Sequence, residues 1–425
     1  RASSVALLGR HAGSEVRLTV DPRRAEELAE ACGDLPAALR LVGGWLAARP
    51  GLSVADAAAQ LADVPGPPDE RKPDHLARAF RLVHDSLSES SARLLRLLAM
   101  APAGCVDAHI ASALAGRPVP EAHGALEELA RLGVLRADAP GRYRVPGCLD
   151  PLLRALLEER ERPRELRSAR ARMLERLVRR LQACRDVADP SGSPGRARHR
   201  ALPAALRFRD AAEARGWLEA GRPALAAAAR LAVEEDGALD TLARRLVSAL
   251  ARALDAHCPP EEATPELYRL HELVLRVAER AGLPRDRAAA LLNLADLDAG
   301  TGRFPRALGR YRAALDAARA AADPRAAARA LECLGGTYAE LADWDRAADW
   351  YARALSARQA DGDDRAAARL HGRLGAVHER AARWDEALRA WRACAALHRR
   401  LRDGAGLERA RRELARVRHR HLRNA

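Results

Sequence analysis

Phosphate binding is one chemistry that the residue types of this chain could support. A phosphate-binding loop surrounds its ligand with backbone amides and one lysine ammonium group. The sequence has a single lysine, Lys72, in the segment Asp69–Pro73. The motif also needs a glycine-rich turn before the lysine and Ser or Thr after it, and this segment has neither. We therefore expect no complete ATP site and no cofactor in this chain.

Metal ligation and nucleophilic catalysis are the other chemistries that these residue types allow. His371 and His378 are seven residues apart on one expected helix face, but metal sites generally need three or more converging ligands. No serine or cysteine has a general base at a local spacing that would activate it. The seven cysteines are scattered without a Cys-x-x-Cys pair, which is typical of reduced thiols in a cytoplasm. We predict that the chain is not an enzyme and is cytoplasmic.

Composition favours closely packed helices. The 425 residues are 48% hydrophobic and 3% aromatic, and alanine and leucine supply most of the apolar side chains. Such a composition suits helices that meet through small residues and predicts almost no strand. No stretch is long and apolar enough to span a bilayer, so we expect no membrane contact. The first residue is Arg1, and we expect this start to be a cut within a longer protein.

The formal charge of +14 indicates nucleic acid or an anionic surface as partners. However, the chain has one lysine and one isoleucine beside abundant Arg, Ala, Gly and Pro, a bias typical of GC-rich genomes. Arginine can then serve as an ordinary solvated surface residue. Charge alone leaves both interpretations open.

A repeat of forty residues is the strongest internal pattern, and such periods indicate repeat architectures. Three segments align without gaps from Ala288, Ala328 and Ala368. Apolar residues recur every three or four positions within each unit, which predicts two amphipathic helices per unit. The matched residues are Leu294, Leu334 and Leu374; Phe304, Trp344 and Trp384; Ala307, Ala347 and Ala387; and Tyr311, Tyr351 and Trp391.

These matches resemble the tetratricopeptide repeat signature, whose usual length is about 34 residues. We interpret the additional residues as longer loops between units, at 322–324 and 361–364. Gly335 and Gly375 are predicted where two helices approach closely, with Tyr351 and Trp391 beside them. The resemblance implies that the helix pairs stack into a solenoid with a concave groove for ligands.

By analogy with the family, charged first-helix positions would face this groove and bind a protein or peptide. The alternative is a solvated face of i,i+4 ion pairs. The arginine-rich last helix, 409–423, predicts a polar capping helix, and contact with nucleic acid or an acidic partner is its alternative. The expected groove residues are Asp296, Arg329, Glu332, Glu340, Arg369, Glu379 and Arg380.

The first 160 residues have a different pattern. A helix from Asp21-Pro22 should end near Gly33 in a left-handed C-cap, and Pro36 should open the next helix. The passage 33–39 resembles the Gly-Leu-Pro-Leu segment of NB-ARC proteins, a class of signal-transducing ATPases. Three later segments resemble a winged helix, the last being its small β-wing: 87–98, 125–135 and 141–145.

In this order the segments resemble the C-terminal portion of actinobacterial regulators of the Streptomyces antibiotic regulatory protein type. The resemblance implies an all-α fold, with a helical domain and a winged helix with a small β-wing followed by a tetratricopeptide-type α-solenoid. The expected boundaries are 1–20 for the tail of a nucleotide-binding domain, 21–70 for an NB-ARC-like helical domain, 71–160 for a winged-helix-like domain, and 161–206 for a helical connector with a flexible linker. They continue with 207–283 for divergent helical repeats and 284–425 for the repeats with a capping helix. Within the divergent repeats, Pro223 is expected to occupy an early helical turn.

The family resemblance also implies a nucleotide-facing edge at Pro36 and Asp150. The family carries a His-Asp pair after the wing, where this chain has Leu149-Asp150, and leucine cannot donate a hydrogen bond to a phosphate. ATP or ADP is therefore expected only in a full-length protein. The family further implies DNA contact through an N-terminal domain outside this chain, and a nucleotide-dependent homo-oligomer.

Three functions follow from these patterns. The first is the regulatory and sensor portion of a bacterial transcriptional regulator, in which the repeats bind a protein or peptide. The second is a stand-alone interaction scaffold without nucleotide control. The third is direct DNA binding by the winged helix around 125–145. Its candidate recognition helix, 121–132, carries Glu127 and Glu128 beside Arg131, which weakens the attraction for phosphate.

Overall fold

The computed structural model describes residues 1–13, 15–65, 74–234, 237 and 239–424, with side chains except at 15–17 and 423–424. Lys72 and its segment lie outside the described residues. The described chain is almost entirely helical, which confirms the all-α prediction. It divides into two compact units, Arg1–His257 and Cys258–Ala425. Among the described residues, no helix has the length and apolarity needed to cross a membrane.

The first unit begins with helices whose ends follow the expected capping residues. The Asp21 carboxylate accepts from the Arg24 backbone N–H at 3.1 Å, Gly33 has a φ of 63°, and Pro36 is the first residue of a helix. Only glycine adopts such a positive φ without steric cost. The helices of this unit are α1 (Ala2–His11), α2 (Glu15–Val20), α3 (Pro22–Ala31), α4 (Pro36–Ala47), α5 (Val54–Asp63), α6 (His75–Asp85), α7 (Glu89–Leu97), α8 (Ala108–Ala115), α9 (Val119–Arg131), α10 (Asp150–Arg160), α11 (Pro163–Ala188), α12 (Pro194–Ala201), α13 (Ala211–Glu234) and α14 (Asp240–His257).

One small antiparallel sheet lies within the first unit. It consists of β1 (Cys105–Asp107), β2 (Arg136–Ala139) and β3 (Arg142–Arg144), in the order β1-β3-β2. Val106 of β1 is opposite Tyr143 of β3, and both side chains are buried. Helices α8 and α9 connect β1 to β2. The segment expected to form a β-wing therefore contributes β3 of this sheet.

The position of Pro223 differs from the prediction. It lies inside the continuous helix α13 and not in the early turn of a new helix, so that prediction was wrong. A proline inside a helix leaves a carbonyl of the preceding turn without its N–H partner. For Pro223 this is the carbonyl of Glu219, four residues earlier. The next carbonyl, that of Ala220, accepts a hydrogen bond from Arg142 Nη2 of the sheet at 2.5 Å.

The second unit is a tetratricopeptide-like α-solenoid of helical hairpins. Six of its helices, α16 to α21, have 17 residues each, and three residues separate successive helices. The extra length of the repeat therefore lies in the helices, and the prediction of longer loops between units was wrong. The bounds are α15 (Pro260–Arg280), α16 (Pro284–Gly300), α17 (Phe304–Ala320), α18 (Pro324–Glu340), α19 (Trp344–Ala360), α20 (Asp364–Arg380), α21 (Trp384–Arg400) and α22 (Gly404–Asn424).

Local signals recur every twenty residues in this unit. The carboxylates of Asp323, Asp343 and Asp363 accept from backbone N–H groups three residues later, at 3.0–3.1 Å, and so cap α18, α19 and α20. Such caps satisfy N–H groups that have no partner within the helix. Every turn also holds one residue with a positive φ, at Gly282, Gly302, Ala322, Ala342, Gly362, Ala382 and Arg402.

The close approach between the two helices of a hairpin agrees with the prediction from Gly335 and Gly375. A Cβ atom on Gly335 would lie 2.6 Å from Tyr351 Cδ1, and one on Gly375 would lie 2.6 Å from Trp391 Nε1. Trp344 and Trp384 each begin a second helix and are partly buried. The repeated residues therefore occupy repeated environments, as the forty-residue register predicts.

Candidate functional site

The first helices of the hairpins, α16, α18 and α20, carry the predicted groove residues. Asp296 of α16 is the centre of a polar cluster in the first two hairpins. Its carboxylate accepts from Tyr311 Oη of α17 at 2.6 Å and from the Arg329 guanidinium of α18. One carboxylate therefore links three helices, and Arg329 is neutralised within the chain.

The surroundings of Asp296 keep its neighbours protonated. Cys333 Sγ lies 3.9 Å from Asp296 Oδ1, and burial together with that negative charge raises the pKa of the Cys333 thiol to about 11. Burial first, and then the hydrogen bond to Asp296, raise the pKa of the Tyr311 hydroxyl. Since a thiolate is the reactive form of cysteine, this cluster is built for hydrogen bonding and lacks an activated nucleophile.

The negative charge of the Asp296 carboxylate also acts on His271 of α15. Burial lowers the pKa of His271 to about 4, and the negative charge of Asp296 opposes this shift only in part. The imidazole is therefore neutral at pH 7. It is one of the residues near the predicted groove that the sequence pattern did not single out.

Replacing His271 with glutamine is expected to make the second unit less sensitive to acid. In the unfolded chain the histidine pKa is about 6.5, so protonation favours unfolding as the pH falls from about 6.5 to about 4. This one group can lower the free energy of unfolding by at most about 1.4 kcal/mol per pH unit in that window, and its contribution is fully present above pH 6.5.

The measurement compares urea midpoints of helix loss at pH 7 and pH 5. His123→Gln is the control, because the His123 side chain is 45% exposed. We expect a smaller midpoint difference for His271→Gln than for the wild type, and no such reduction for His123→Gln. Equal pH dependence in all three proteins would contradict the assignment.

The next step of the solenoid has a different ion pair. Glu332 of α18 forms an ion pair with Arg373 of α20, with 2.9 Å between Oε1 and Nη1, and the Arg373 guanidinium lies 5.7 Å from the centre of the Tyr351 ring. The Glu332 side chain is 14% exposed. This pair joins two successive first helices directly, and Arg373 is a contact that the sequence pattern did not identify.

The structure places Glu379 beneath the last helix. Its side chain is 6% exposed and accepts from Arg416 Nη2 at 2.7 Å and from Arg420 Nη1 at 2.9 Å. Val417, on the same face of α22, is fully buried. Helix α22 therefore covers the end of the repeats, and Glu379 is bound within the chain.

Three of the predicted groove residues stay open. Glu340, Arg369 and Arg380 are exposed, and none has an ion-pair partner within 4.0 Å in the part of the chain that the structure describes. The remaining four are held by other side chains of the chain. The open residues are thus the ones that can meet a partner without breaking an internal pair.

The two residues of the expected nucleotide-facing edge lie in different surroundings. Asp150 is in the first turn of α10, pairs with Arg154 at 2.8 Å, and lines a cavity of about 530 Å³ together with Arg154 and Arg170. Pro36 is exposed at the start of α4 and is not among the lining residues. Leu149, at the position of the family histidine, is buried. Within the described ranges, no three His, Cys, Asp or Glu residues are grouped as a metal site would require.

Helix α9, which contains most of the segment considered for DNA contact, carries acidic side chains. Glu128 accepts from Ser91 Oγ at 2.8 Å, and Glu127 lies 3.5 Å from His123. Negative charge on this helix disfavours approach to phosphates. The geometry therefore adds no support for DNA binding through α9.

Comparison with known proteins gives one family match and two regulatory relatives. A tetratricopeptide repeat model matches residues 286–360. The chain is 33% identical over 177 residues to the regulatory protein AfsR of Streptomyces coelicolor, which is 41% of this chain and 18% of that protein. It is 29% identical over 325 residues to the regulatory protein AfsR of Streptomyces griseus, which is 73% of this chain and 31% of that protein.

The chain thus spans less than a third of the length of these curated relatives. Among solved structures, the chain matches a signal transduction ATPase with numerous domains from Pyrococcus horikoshii, which carries a tetratricopeptide repeat sensor. The match covers 99% of this chain and 73% of that protein's chain. The identity is 13% and the TM-score is 0.32. The repeat match and the two AfsR relatives show that the chain contains tetratricopeptide repeats and is similar to bacterial regulatory proteins.

Proposed function

We propose that this chain is the regulatory and sensor portion of a bacterial transcriptional regulator of the signal-transducing ATPase class. In this proposal the solenoid binds a protein or peptide on the face formed by its first helices. The first unit contributes an NB-ARC-like helical domain and a winged helix, and passes the occupancy of the solenoid to a nucleotide-controlled switch elsewhere in the parent protein, in the cytoplasm. The parent would contact DNA through a separate N-terminal domain and could assemble with other copies when nucleotide is bound.

The observation that carries the proposal is the open part of the first-helix face. Glu340, Arg369 and Arg380 are exposed on α18 and α20 without ion-pair partners among the described residues, whereas the neighbouring Glu332 and Glu379 are bound within the chain. Stacked repeats leave such a face available along several hairpins, and repeat proteins use it for extended ligands. Similarity to two regulatory proteins supports the regulatory role.

Coupling between the solenoid and a nucleotide requires that the partner bind two states of the parent protein with different affinity. The β1-β3-β2 sheet with α7, α8 and α9 supports a winged-helix unit as the element between them. A stand-alone scaffold, the alternative, would bind its partner with the same affinity whether ATP or ADP is present.

The first test asks whether the solenoid binds peptides at all. Full-length chain is immobilised and panned against a display library of random dodecapeptides, and the recovered peptides are remeasured by fluorescence anisotropy. We expect sequence families that bind the chain and lose affinity when the charges of Glu340 and Arg380 are reversed. Failure to recover any binding family, at library diversity that yields binders for a control repeat protein, would remove the peptide-binding function.

The second test concerns regulation and uses the parent gene. A strain whose parent protein lacks residues 258–425 is compared by RNA sequencing with a strain that lacks the whole gene. We expect both to change an overlapping set of transcripts relative to the wild type. Unchanged transcripts in both strains would exclude the transcriptional role, and a recovered peptide whose affinity for the parent protein is equal with ATP and with ADP would favour the scaffold.

A further inference from the structure

An arginine recurs at the same register in three successive first helices. Arg329, Arg369 and Arg409 are 40 residues apart on α18, α20 and α22, and all three are exposed. Arg329 binds the carboxylate of Asp296 on the preceding first helix. The positions that correspond to Asp296 in the next two repeats are Gly336 and Ala376. The second and third arginines therefore lack the carboxylate that the first one has.

Arg369 and Arg409 have no carboxylate within 4.0 Å among the residues that the structure describes. Asp403 acts on Arg409 only at longer range. Its oxygens are engaged by the Gly406 backbone N–H and by His398 Nδ1, both at 2.9 Å. The guanidinium groups of Arg369 and Arg409 can therefore bind an acceptor from outside the chain.

A tyrosine hydroxyl accompanies the first arginine, and the forty-residue repeat puts an aromatic residue at the corresponding position after it. Tyr311 Oη donates to Asp296 at 2.6 Å, and its counterparts one and two repeats later are Tyr351 and Trp391. A Cβ atom on Gly336 would lie 3.4 Å from Tyr351 Oη. The Trp391 Nε1 atom has no acceptor within the described structure, but it is buried against Gly375, 2.6 Å from where a Cβ atom of that residue would be, so a ligand on the surface does not reach it.

We propose that the solenoid binds an acidic peptide segment, whose carboxylates take the places that Gly336 and Ala376 leave open. One carboxylate accepts from Arg369 and Tyr351, as Asp296 accepts from Arg329 and Tyr311, and the other accepts from Arg409. This inference rests on the proposed function, that the first-helix face binds peptides. Hydrogen bonds between a guanidinium and a carboxylate are charge-assisted and stronger than neutral ones.

The spacing of the first helices sets the spacing of the acidic residues. Successive first helices touch directly, because Glu332 of α18 pairs with Arg373 of α20 at 2.9 Å. Packed helices have axes about 8–10 Å apart, and a peptide in the polyproline II conformation has three residues per turn and advances about 3.1 Å per residue. Two acidic side chains three residues apart in such a segment lie on the same side, about 9 Å apart, and therefore match the two open arginines.

A nucleic acid fits this face less well than a peptide does. The same helices carry Glu340, which is exposed and has no ion-pair partner in the described part of the chain. A continuous chain of phosphates would pass this carboxylate and be repelled, whereas separate acidic side chains can avoid it. The carboxylate of Asp296 also shows that a carboxylate is accommodated between these donors.

The test uses the dodecapeptides recovered by panning against the full chain. We expect their sequences to be enriched in Asp or Glu pairs three residues apart, and their affinity to fall about tenfold or more in the Arg369→Ser/Arg409→Ser variant. Arg319→Ser/Arg392→Ser is the matched control, because both residues are exposed arginines on second helices. The control variant has the same net charge and is expected to retain the affinity.

A second variant tests the position without removing either arginine. Gly336→Asp places a carboxylate where the next repeat lacks one, and its Cβ contact of 3.4 Å with Tyr351 Oη is close enough that the tyrosine must move only slightly. We expect the new aspartate to pair with Arg369 and to lower the affinity for acidic peptides at least severalfold. Gly336→Asn, which has the same shape without the charge, should lower that affinity less.

The outcomes separate this inference from the proposed function. Recovered peptides without acidic enrichment, or equal affinity in the Arg369→Ser/Arg409→Ser and control variants, would overturn the inference and leave peptide binding intact. Recovery of no binding peptide would remove the proposed function itself. A single-stranded DNA 20-mer that binds more tightly than any peptide, and with the same dependence on Arg369 and Arg409, would overturn the inference of a peptide ligand in favour of a nucleic acid.

Discussion

Gly335→Ala is expected to destabilise the second hairpin by about 1–3 kcal/mol. The added Cβ would lie 2.6 Å from Tyr351 Cδ1 and 2.8 Å from Tyr351 Cε1, so the ring or the helix must move. The ring itself is buried, with Tyr351 at 4% exposure, and has little room to shift. Local opening should be visible as faster hydrogen exchange in α18 and α19, because exchange reports the stability of individual segments.

The neighbouring glycine gives a matched control for this prediction. Gly336→Ala makes the same chemical change one residue later in α18, where the nearest side-chain atom, Tyr351 Oη, would be 3.4 Å away. There the gain in helix propensity, up to about 1 kcal/mol, should dominate. Protection of α18 should therefore fall in Gly335→Ala and stay equal or rise in Gly336→Ala. Similar protection in the two variants would show that the close approach does not limit the hairpin.

Arg416→Ser/Arg420→Ser should release helix α22 from the end of the repeats. These two arginines are the partners of Glu379, whose side chain is 6% exposed. Removing both leaves a buried carboxylate without a counter-charge, which costs about 3 kcal/mol. The buried Ala410 and Val417 of α22 would then lose their contacts as well. We expect faster exchange throughout α22 and earlier cleavage by trypsin at its other arginines.

The control and the rescue use the same helix pair. Arg411→Ser/Arg418→Ser removes two exposed arginines of α22, one of which pairs only with Glu408 on the surface at 2.9 Å, and such pairs contribute little. Adding Glu379→Leu to the Arg416→Ser/Arg420→Ser variant removes the buried charge and should recover much of the protection. If the triple variant exchanges as fast as the double variant, the buried carboxylate is not the cause.

The sequence predicted the hairpins because their signals are local. Apolar spacing, aspartate caps and turn residues act within a few positions of one another, and they recur in register at Asp323, Asp343 and Asp363. The close helix contacts at Gly335 and Gly375 were also predicted, since small and aromatic residues match across the repeats. The prediction of longer loops failed because a helix end is fixed by its caps, whereas a repeat length alone does not say which part is longer.

The predicted first-helix charges lie on α16, α18 and α20, but their state could not be read from the sequence. Asp296 and Arg329 are 33 residues apart in the chain, and Glu379 and Arg416 are 37 apart. Each pair forms because two different helices pack side by side. Two residues of identical type, Arg329 and Arg369, thus differ only in what the preceding helix presents to them.

By itself, the sequence determined the repeat, the helix periodicity and the positions of the charged residues, since these depend on neighbours along the chain. The tertiary structure alone decided which charges are neutralised, that Glu379 lies under α22, and that Arg369 and Arg409 stay open. Ion pairing depends on distances of a few ångströms between atoms of different helices. Only packing of the helices against one another fixes those distances.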